Sequence, residues 1–150
     1  VTLVERLGKA AGGLQVSSLY ETTPVGFHQQ PGFVNAVATL DTSLSPEELL
    51  RAMLRVELAF GRKRAVSNGP RTLDLDLLMV DDLVLSTATL VLPHPRMAER
   101  RFVLEPLAEI AACLVHPVLR RTITELLAAL PDEGEQAISG VKRLGQAVKA

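Results

Sequence analysis

Three observations predict an α+β fold. Apolar, β-prone runs occupy residues 14–20 and 33–41, and an alternating, then continuous, apolar run occupies 73–80. Two capping boxes, Ser45-Pro46-Glu47-Glu48 and Thr122-Ile123-Thr124-Glu125, open helical periodicities. The order helix, strand, strand, helix, strand, then helices suits an antiparallel sheet with helices packed on its faces. One more strand before residue 1 would complete a ferredoxin-like β-α-β-β-α-β motif.

Residues 2–11 have a helical pattern that Gly12-Gly13 should close. Strands are expected at 14–20 and 33–41, joined by a loop over 21–32 rich in Gly and Pro. Loops of that length are often functional. After the first capping box, Leu49, Leu50, Met53, Leu54, Val56, Glu57 and Phe60 carry a helix to about Phe60, where Gly61 stops it. A basic loop, 62–68, leads into the third strand. Asp81-Asp82 reads as a turn, Leu83-Val84-Leu85 as a short strand, and 90–95 as an extended piece. Residues 96–112 read as helix with a break expected near Pro106, and the second capping box opens a helix to about Leu130. Residues 1–130 are expected to form one domain, and 131–150 a tail with one short apolar element.

The chain has 150 residues, 47% hydrophobic and 22% charged, enough for a globular core. A net charge of −1 and 3% aromatic content with no Trp argue against a nucleic-acid binder. Cys113 is the only cysteine, so no disulfide forms within the chain; a buried, inert thiol in a reducing cytoplasm is expected. No apolar run reaches membrane-spanning length.

The segment Gly69-Pro70-Arg71-Thr72-Leu73-Asp74-Leu75-Asp76-Leu77-Leu78 carries the clearest chemistry. In a strand, Asp74 and Asp76 share a face, their backbones roughly 6–7 Å apart. Two such carboxylates call for a counter-charge, and Mg²⁺ shared with substrate phosphates supplies one. Arg71 offers a planar fork for phosphate oxygens. The plainer alternative is a surface Asp-x-Asp paired with Arg71 or a lysine. His94, held between Pro93 and Pro95, is either structural or part of a cationic site with Arg96, Arg100, Arg101, Arg62 and Arg64. Asn35 shares a strand face with Phe33 and needs partners for its amide. Those partners are neighbouring loop backbone or the edge of a heterocycle beside an aromatic ring. There is no P-loop and no cluster with zinc-ligand spacing.

Three segments together resemble the 6-hydroxymethyl-7,8-dihydropterin pyrophosphokinase family. They are Ser17-Ser18-Leu19-Tyr20-Glu21-Thr22 continuing through Pro24, Gly26, Gln30, Pro31, Phe33 and Asn35; the Asp-x-Asp segment; and Val91-Leu92-Pro93-His94-Pro95-Arg96-Met97 with Arg100, Phe102, Leu104, Pro106 and Leu107. The resemblance implies transfer of pyrophosphate from ATP to the pterin hydroxymethyl oxygen, with release of AMP, in folate biosynthesis. It implies two Mg²⁺ ions on Asp74 and Asp76, and loop arginines Arg62, Arg64 and Arg71 acting on the phosphates. It assigns Glu57, Arg71, Leu77, His94 and Arg100 to ATP. It assigns Thr22, Val25, Phe33, Asn35 and Phe102 to the pterin. The implied partners are small-molecule substrates, with neither nucleic acid nor membrane, in a cytoplasmic protein.

Some positions depart from the family pattern. Ser67 stands where a basic residue is usual, Asn68 where some members have Trp, and Leu54 where some have a polar ATP contact. The family's first strand and its Gly-Ser-Asn turn have no counterpart, so these residues are expected to belong to a longer native chain. Otherwise the gap must be filled by the tail after Pro131 or by a strand from a second copy; a monomer is expected, and an oligomer only if a second copy supplies the strand. Two competing functions are a metal-dependent phosphoesterase using Asp74 and Asp76, and a non-catalytic ferredoxin-like module that binds a small ligand.

Overall fold

The computed structural model describes residues 11–22, 33–60, 73–133 and 140–146. These residues form a mixed α+β structure of three helices and small antiparallel sheets. The strands are β1 (Ala11–Val16), β2 (Ser18–Thr22), β3 (Phe33–Asn35), β4 (Ala38–Thr42), β5 (Leu85–Ser86), β6 (Val91–Leu92) and β7 (Val141–Gln146). The helices are α1 (Pro46–Ala59), α2 (Arg101–Ala111) and α3 (Ile123–Ala129), with a 3-10 turn at Met97–Glu99. None of the described helices is long and apolar enough to cross a membrane.

Each of the first two expected strands is divided in two. β1 pairs with β4, and β2 pairs with β3. The two interruptions face one another. The Ser17 N–H donates to the Val37 carbonyl at 2.8 Å, and the Val37 N–H donates to Ser17 Oγ at 2.9 Å. A serine hydroxyl thus replaces a ladder carbonyl in a buried position, the competition with regular pairing that short polar side chains exert. The helix expected over 2–11 lies outside the described residues apart from Ala11, which opens β1; Gly12 and Gly13 also lie in β1, whose register shifts between Gly12 and Gln15. Gly13 has φ +57°, and a Cβ there would strike the Asp41 carboxylate.

Both capping boxes form. Ser45 and Glu48 cap α1 reciprocally, and Thr122 and Glu125 cap α3. α1 buries Leu49, Ala52, Met53, Val56 and Glu57, while Leu54 and Phe60 lie 40% and 38% exposed. α2 runs unbroken through Pro106, and the interruption falls earlier, at Arg100, between the 3-10 turn and the helix. Pro106 removes one helical donor, but its ring is fully buried, and this packing outweighs the lost bond. β5 begins at Leu85, leaving Leu83 and Val84 exposed outside it. Cys113 is exposed, not buried, because it lies in the turn that follows α2.

Residues 73–80, expected as a buried strand, make no strand pairing among the described residues. Side-chain packing holds them instead. Leu75, Leu77 and Val80 pack on the α1 cluster of Leu49, Ala52 and Met53. Leu78 and Met79 pack on a second cluster, built by Val37, Met97, Val103, Leu104, Leu107, Ile123 and Leu126. The segment therefore runs between two cores, which explains its continuous apolar stretch. Beyond Pro131, the short apolar element is β7, antiparallel to β2 in a three-stranded sheet of order β3-β2-β7.

Candidate functional site

Two groups of side chains stand out. The first is an open cleft of about 140 Å³ lined by Thr22, Phe33, Asn35 and Phe102. Strand register explains three of the four. Thr22 is opposite Phe33 and Tyr20 is opposite Asn35, so all four share one face of the β2–β3 pair. Phe102 comes from the first turn of α2, which packs on β2. The Asn35 amide nitrogen donates to Thr22 Oγ1 at 3.0 Å. That bond leaves the amide oxygen and a second N–H for a ligand. Phe33 is 65% exposed, so its ring is a platform open on one side. The Arg100 guanidinium sits over the Phe102 ring, 5.4 Å from its centroid. Val25 lies outside the described residues.

The second group surrounds the Asp-x-Asp segment. Asp74 and Asp76 are both exposed and flank Leu75, whose N–H points at the Glu57 carboxylate at 3.4 Å. Glu57 is itself buried on α1, so a helix side chain anchors the backbone between the two acids. Leu77, beside them, packs toward α1. On the neighbouring turn, the His94 N–H donates to the Leu78 carbonyl at 2.7 Å, tying the histidine loop to this segment. His94 Nδ1 accepts from the Arg96 N–H at 3.2 Å, which in the neutral ring leaves Nε2–H as the outward donor. Burial holds the His94 imidazole below its ordinary value; the Asp76 charge opposes this, and Arg100 and Arg96 reinforce it. Asp76, His94, Arg96 and Arg100 therefore lie within electrostatic reach of one another. Arg62, Arg64 and Arg71 lie outside the described residues.

Among the described residues, no group of three or more His, Cys, Asp or Glu is arranged to hold a metal ion. Two carboxylates remain, both hard oxygen donors at an exposed edge. That set suits Mg²⁺, which commonly takes one or two carboxylates and fills its shell with water and substrate phosphates.

Sequence reasoning missed one polar hub. Glu109 of α2 accepts hydrogen bonds from the Ser18 N–H at 2.8 Å, the Ser18 hydroxyl at 3.1 Å and the Tyr20 hydroxyl at 2.7 Å. A sequence signal existed: Glu109 lies seven residues after Phe102, hence on the same helix face.

The family model described as 7,8-dihydro-6-hydroxymethylpterin-pyrophosphokinase (HPPK) matches residues 2–112. The chain is 48% identical over 125 residues to the 2-amino-4-hydroxy-6-hydroxymethyldihydropteridine pyrophosphokinase of Pseudomonas aeruginosa, covering 83% of this chain and 76% of that protein. It is 51% identical over 96 residues to the Bacillus subtilis protein of the same name, covering 64% of this chain and 58% of that one. It is 41% identical over 121 residues to the folic acid synthesis protein fol1 of Schizosaccharomyces pombe, covering 81% of this chain. The chain spans only 16% of that longer protein's length.

Proposed function

This chain belongs to the 7,8-dihydro-6-hydroxymethylpterin-pyrophosphokinase family, and on that footing we propose that it transfers pyrophosphate from ATP to 6-hydroxymethyl-7,8-dihydropterin in folate biosynthesis. The observation that carries this is the meeting of Thr22, Phe33, Asn35 and Phe102, from three separate elements, around one cleft. A flat heterocycle between Phe33 and Phe102 gains stacking on both faces, and Asn35 has amide capacity left to read its edge.

For AMP to leave, the pterin hydroxymethyl oxygen must bond to the β-phosphorus of ATP. The bond from that phosphorus to the α,β-bridging oxygen breaks, its electron pair leaves with AMP, and the hydroxyl proton passes to solvent or a phosphate oxygen. Such chemistry depends mainly on position and electrostatics. Asp74 and Asp76 are the residues that would hold Mg²⁺, two ions in this reading. When bound, the metal neutralises phosphate charge and draws it from the transferred group. His94, neutral and with Nδ1 occupied, offers Nε2–H to an anionic oxygen. Arg100 is proposed to serve both ligands, a reading supported by its guanidinium over the Phe102 ring and its charge acting on His94. Arg62, Arg64 and Arg71 are proposed to meet the phosphates, Val25 to offer backbone groups to the pterin, and Leu77 and Glu57 to line or support the nucleotide side. The fold is proposed to be ferredoxin-like, and the protein a cytoplasmic monomer.

The test is direct. Purified protein with Mg²⁺, ATP and 6-hydroxymethyl-7,8-dihydropterin is expected to yield AMP only when all three are present. Release of ADP or phosphate irrespective of pterin would replace this assignment with a phosphoesterase.

A further inference from the structure

The Glu109 hub lies outside the cleft, yet it joins the two elements whose separation defines it. On β2, Ser18, Tyr20 and Thr22 alternate onto one face. Thr22 lines the cleft, while Ser18 and Tyr20 bond to Glu109. On α2, Phe102 lines the cleft, and Glu109 follows two turns later, about 10 Å along the axis. Helix and strand therefore touch at two levels on the same pair of faces. At one level sits the ligand wall; at the other, a single carboxylate accepts three hydrogen bonds. Arg143 of β7 extends the hub. Its Nε donates to Ser18 Oγ at 2.9 Å and stands 3.8 Å from Glu109 Oε1.

We propose that Glu109 is a positioning residue for the pterin: by locking α2 to β2 it sets the gap between Phe102 and the wall formed by Thr22, Phe33 and Asn35, without touching the substrate. It rests on the pyrophosphokinase function proposed above. A carboxylate suits the task because both oxygens accept, and Ser18 and Tyr20 supply donors only to an acceptor. The ionisation states agree. Burial, then the bond to the Glu109 carboxylate, pushes the Tyr20 hydroxyl up to about 12, so it stays a donor at neutral pH. Burial raises the Glu109 carboxyl, but the hydrogen bonds from Tyr20 and Ser18 and the Arg143 charge outweigh it and hold the group below the ordinary glutamate value. The Arg143 side chain is 60% exposed, so its ion pair adds little and the hydrogen bonds carry the lock.

Three variants test this: Glu109→Gln, which keeps the shape but accepts at one atom only; Tyr20→Phe, which removes one donor; and Thr122→Ala, which weakens the α3 cap away from the cleft. The expected result is a KM for pterin raised roughly ten- to hundredfold in Glu109→Gln, the scale of a misplacement of about 1 Å. Tyr20→Phe should show a smaller rise in the same direction, with the KM for ATP within about twofold in both. Thr122→Ala should lose thermal stability yet keep its pterin KM, separating positioning from general destabilisation. If Glu109→Gln does not fold, Tyr20→Phe carries the test. An active wild type whose pterin KM is unmoved in these variants, or whose pterin and ATP values rise together, overturns the positioning role alone. A wild type that forms no AMP overturns the proposed function and this role with it.

Discussion

The cleft between Phe33 and Phe102 and the Asp-x-Asp edge are built on opposite plans. The cleft is assembled by packing: its walls come from β2, β3 and the first turn of α2, and Asn35 already has a protein partner in Thr22. The acidic edge is left open: Asp74 and Asp76 are exposed on a segment with no ladder among the described residues, held by Leu75 and Leu77 on one side and Leu78 on the other. Physics accounts for the difference. A flat, nearly neutral ring binds to surfaces that can be prepared in advance. Two like charges are costly to bury together and stay at the surface. Apolar walls can therefore be buried by folding alone, whereas an acidic pair is kept exposed.

The largest effect expected from this contrast falls on the edge. Asp76→Asn keeps size and exposure but removes one charge. Turnover should fall roughly a thousandfold or more, about 4 kcal/mol of transition-state stabilisation, while the melting temperature hardly changes. Steady-state AMP formation beside a thermal melt measures both. Near-normal turnover at ordinary Mg²⁺ would mean that the edge is not where charge is neutralised.

A smaller effect is expected in the cleft. Phe102→Ala should weaken pterin binding by about 1–3 kcal/mol, the scale of one stacked ring. Asn35→Ala should do so comparably, by leaving a polar edge of the pterin unpaired. Titration with pterin and with a non-hydrolysable ATP analogue separates the two regions. Equal losses for both ligands would erase the distinction between a pterin wall and a phosphate edge.

The smallest effect is a pH dependence. His94, beside the acidic edge, and His116, buried in the α2–α3 turn, both titrate below the ordinary histidine value, burial being the chief cause in each. His116 Nδ1 already accepts from the Val118 and Leu119 N–H groups, at 3.3 and 3.0 Å, which also favours the neutral ring. Between these depressed values and about 6.5, the unfolded chain binds more protons than the folded one. The contribution is thus fully present above about pH 6.5 and is lost as pH falls through the folded values. Urea midpoints at pH 7.5 and 5.5 should differ in that direction, and His116→Ala should flatten part of the slope. A midpoint that rises on acidification would reverse the sign.

What was legible in the chain was mostly short-range. Both capping boxes form as expected, because Ser45 with Glu48 and Thr122 with Glu125 satisfy each other within one turn. Thr22, Phe33, Asn35 and Phe102 were legible through family resemblance, and they do meet. The continuity of strands was not legible. No local pattern marks Ser17 as the place where a hydroxyl takes over a ladder bond from a residue 20 positions away. Nor does one say that Pro106 would ride inside α2 or that Cys113 would face solvent. The first depends on which side of α2 meets the core, the second on where α2 ends.

The sequence by itself determined the chemical inventory: an acid pair at strand spacing, a histidine between prolines, an amide beside aromatics, and helix starts written in their own caps. Each of these is a property of residues close together in the chain, where geometry is set by backbone period alone. The tertiary structure decided which of them share a surface and what holds them there. Glu109 and Ser18 lie 91 residues apart in the chain and are joined by a 2.8 Å hydrogen bond. That juxtaposition exists because α2 must bury its apolar face against the sheet, and once it does so the Glu109 carboxylate has to find its donors there.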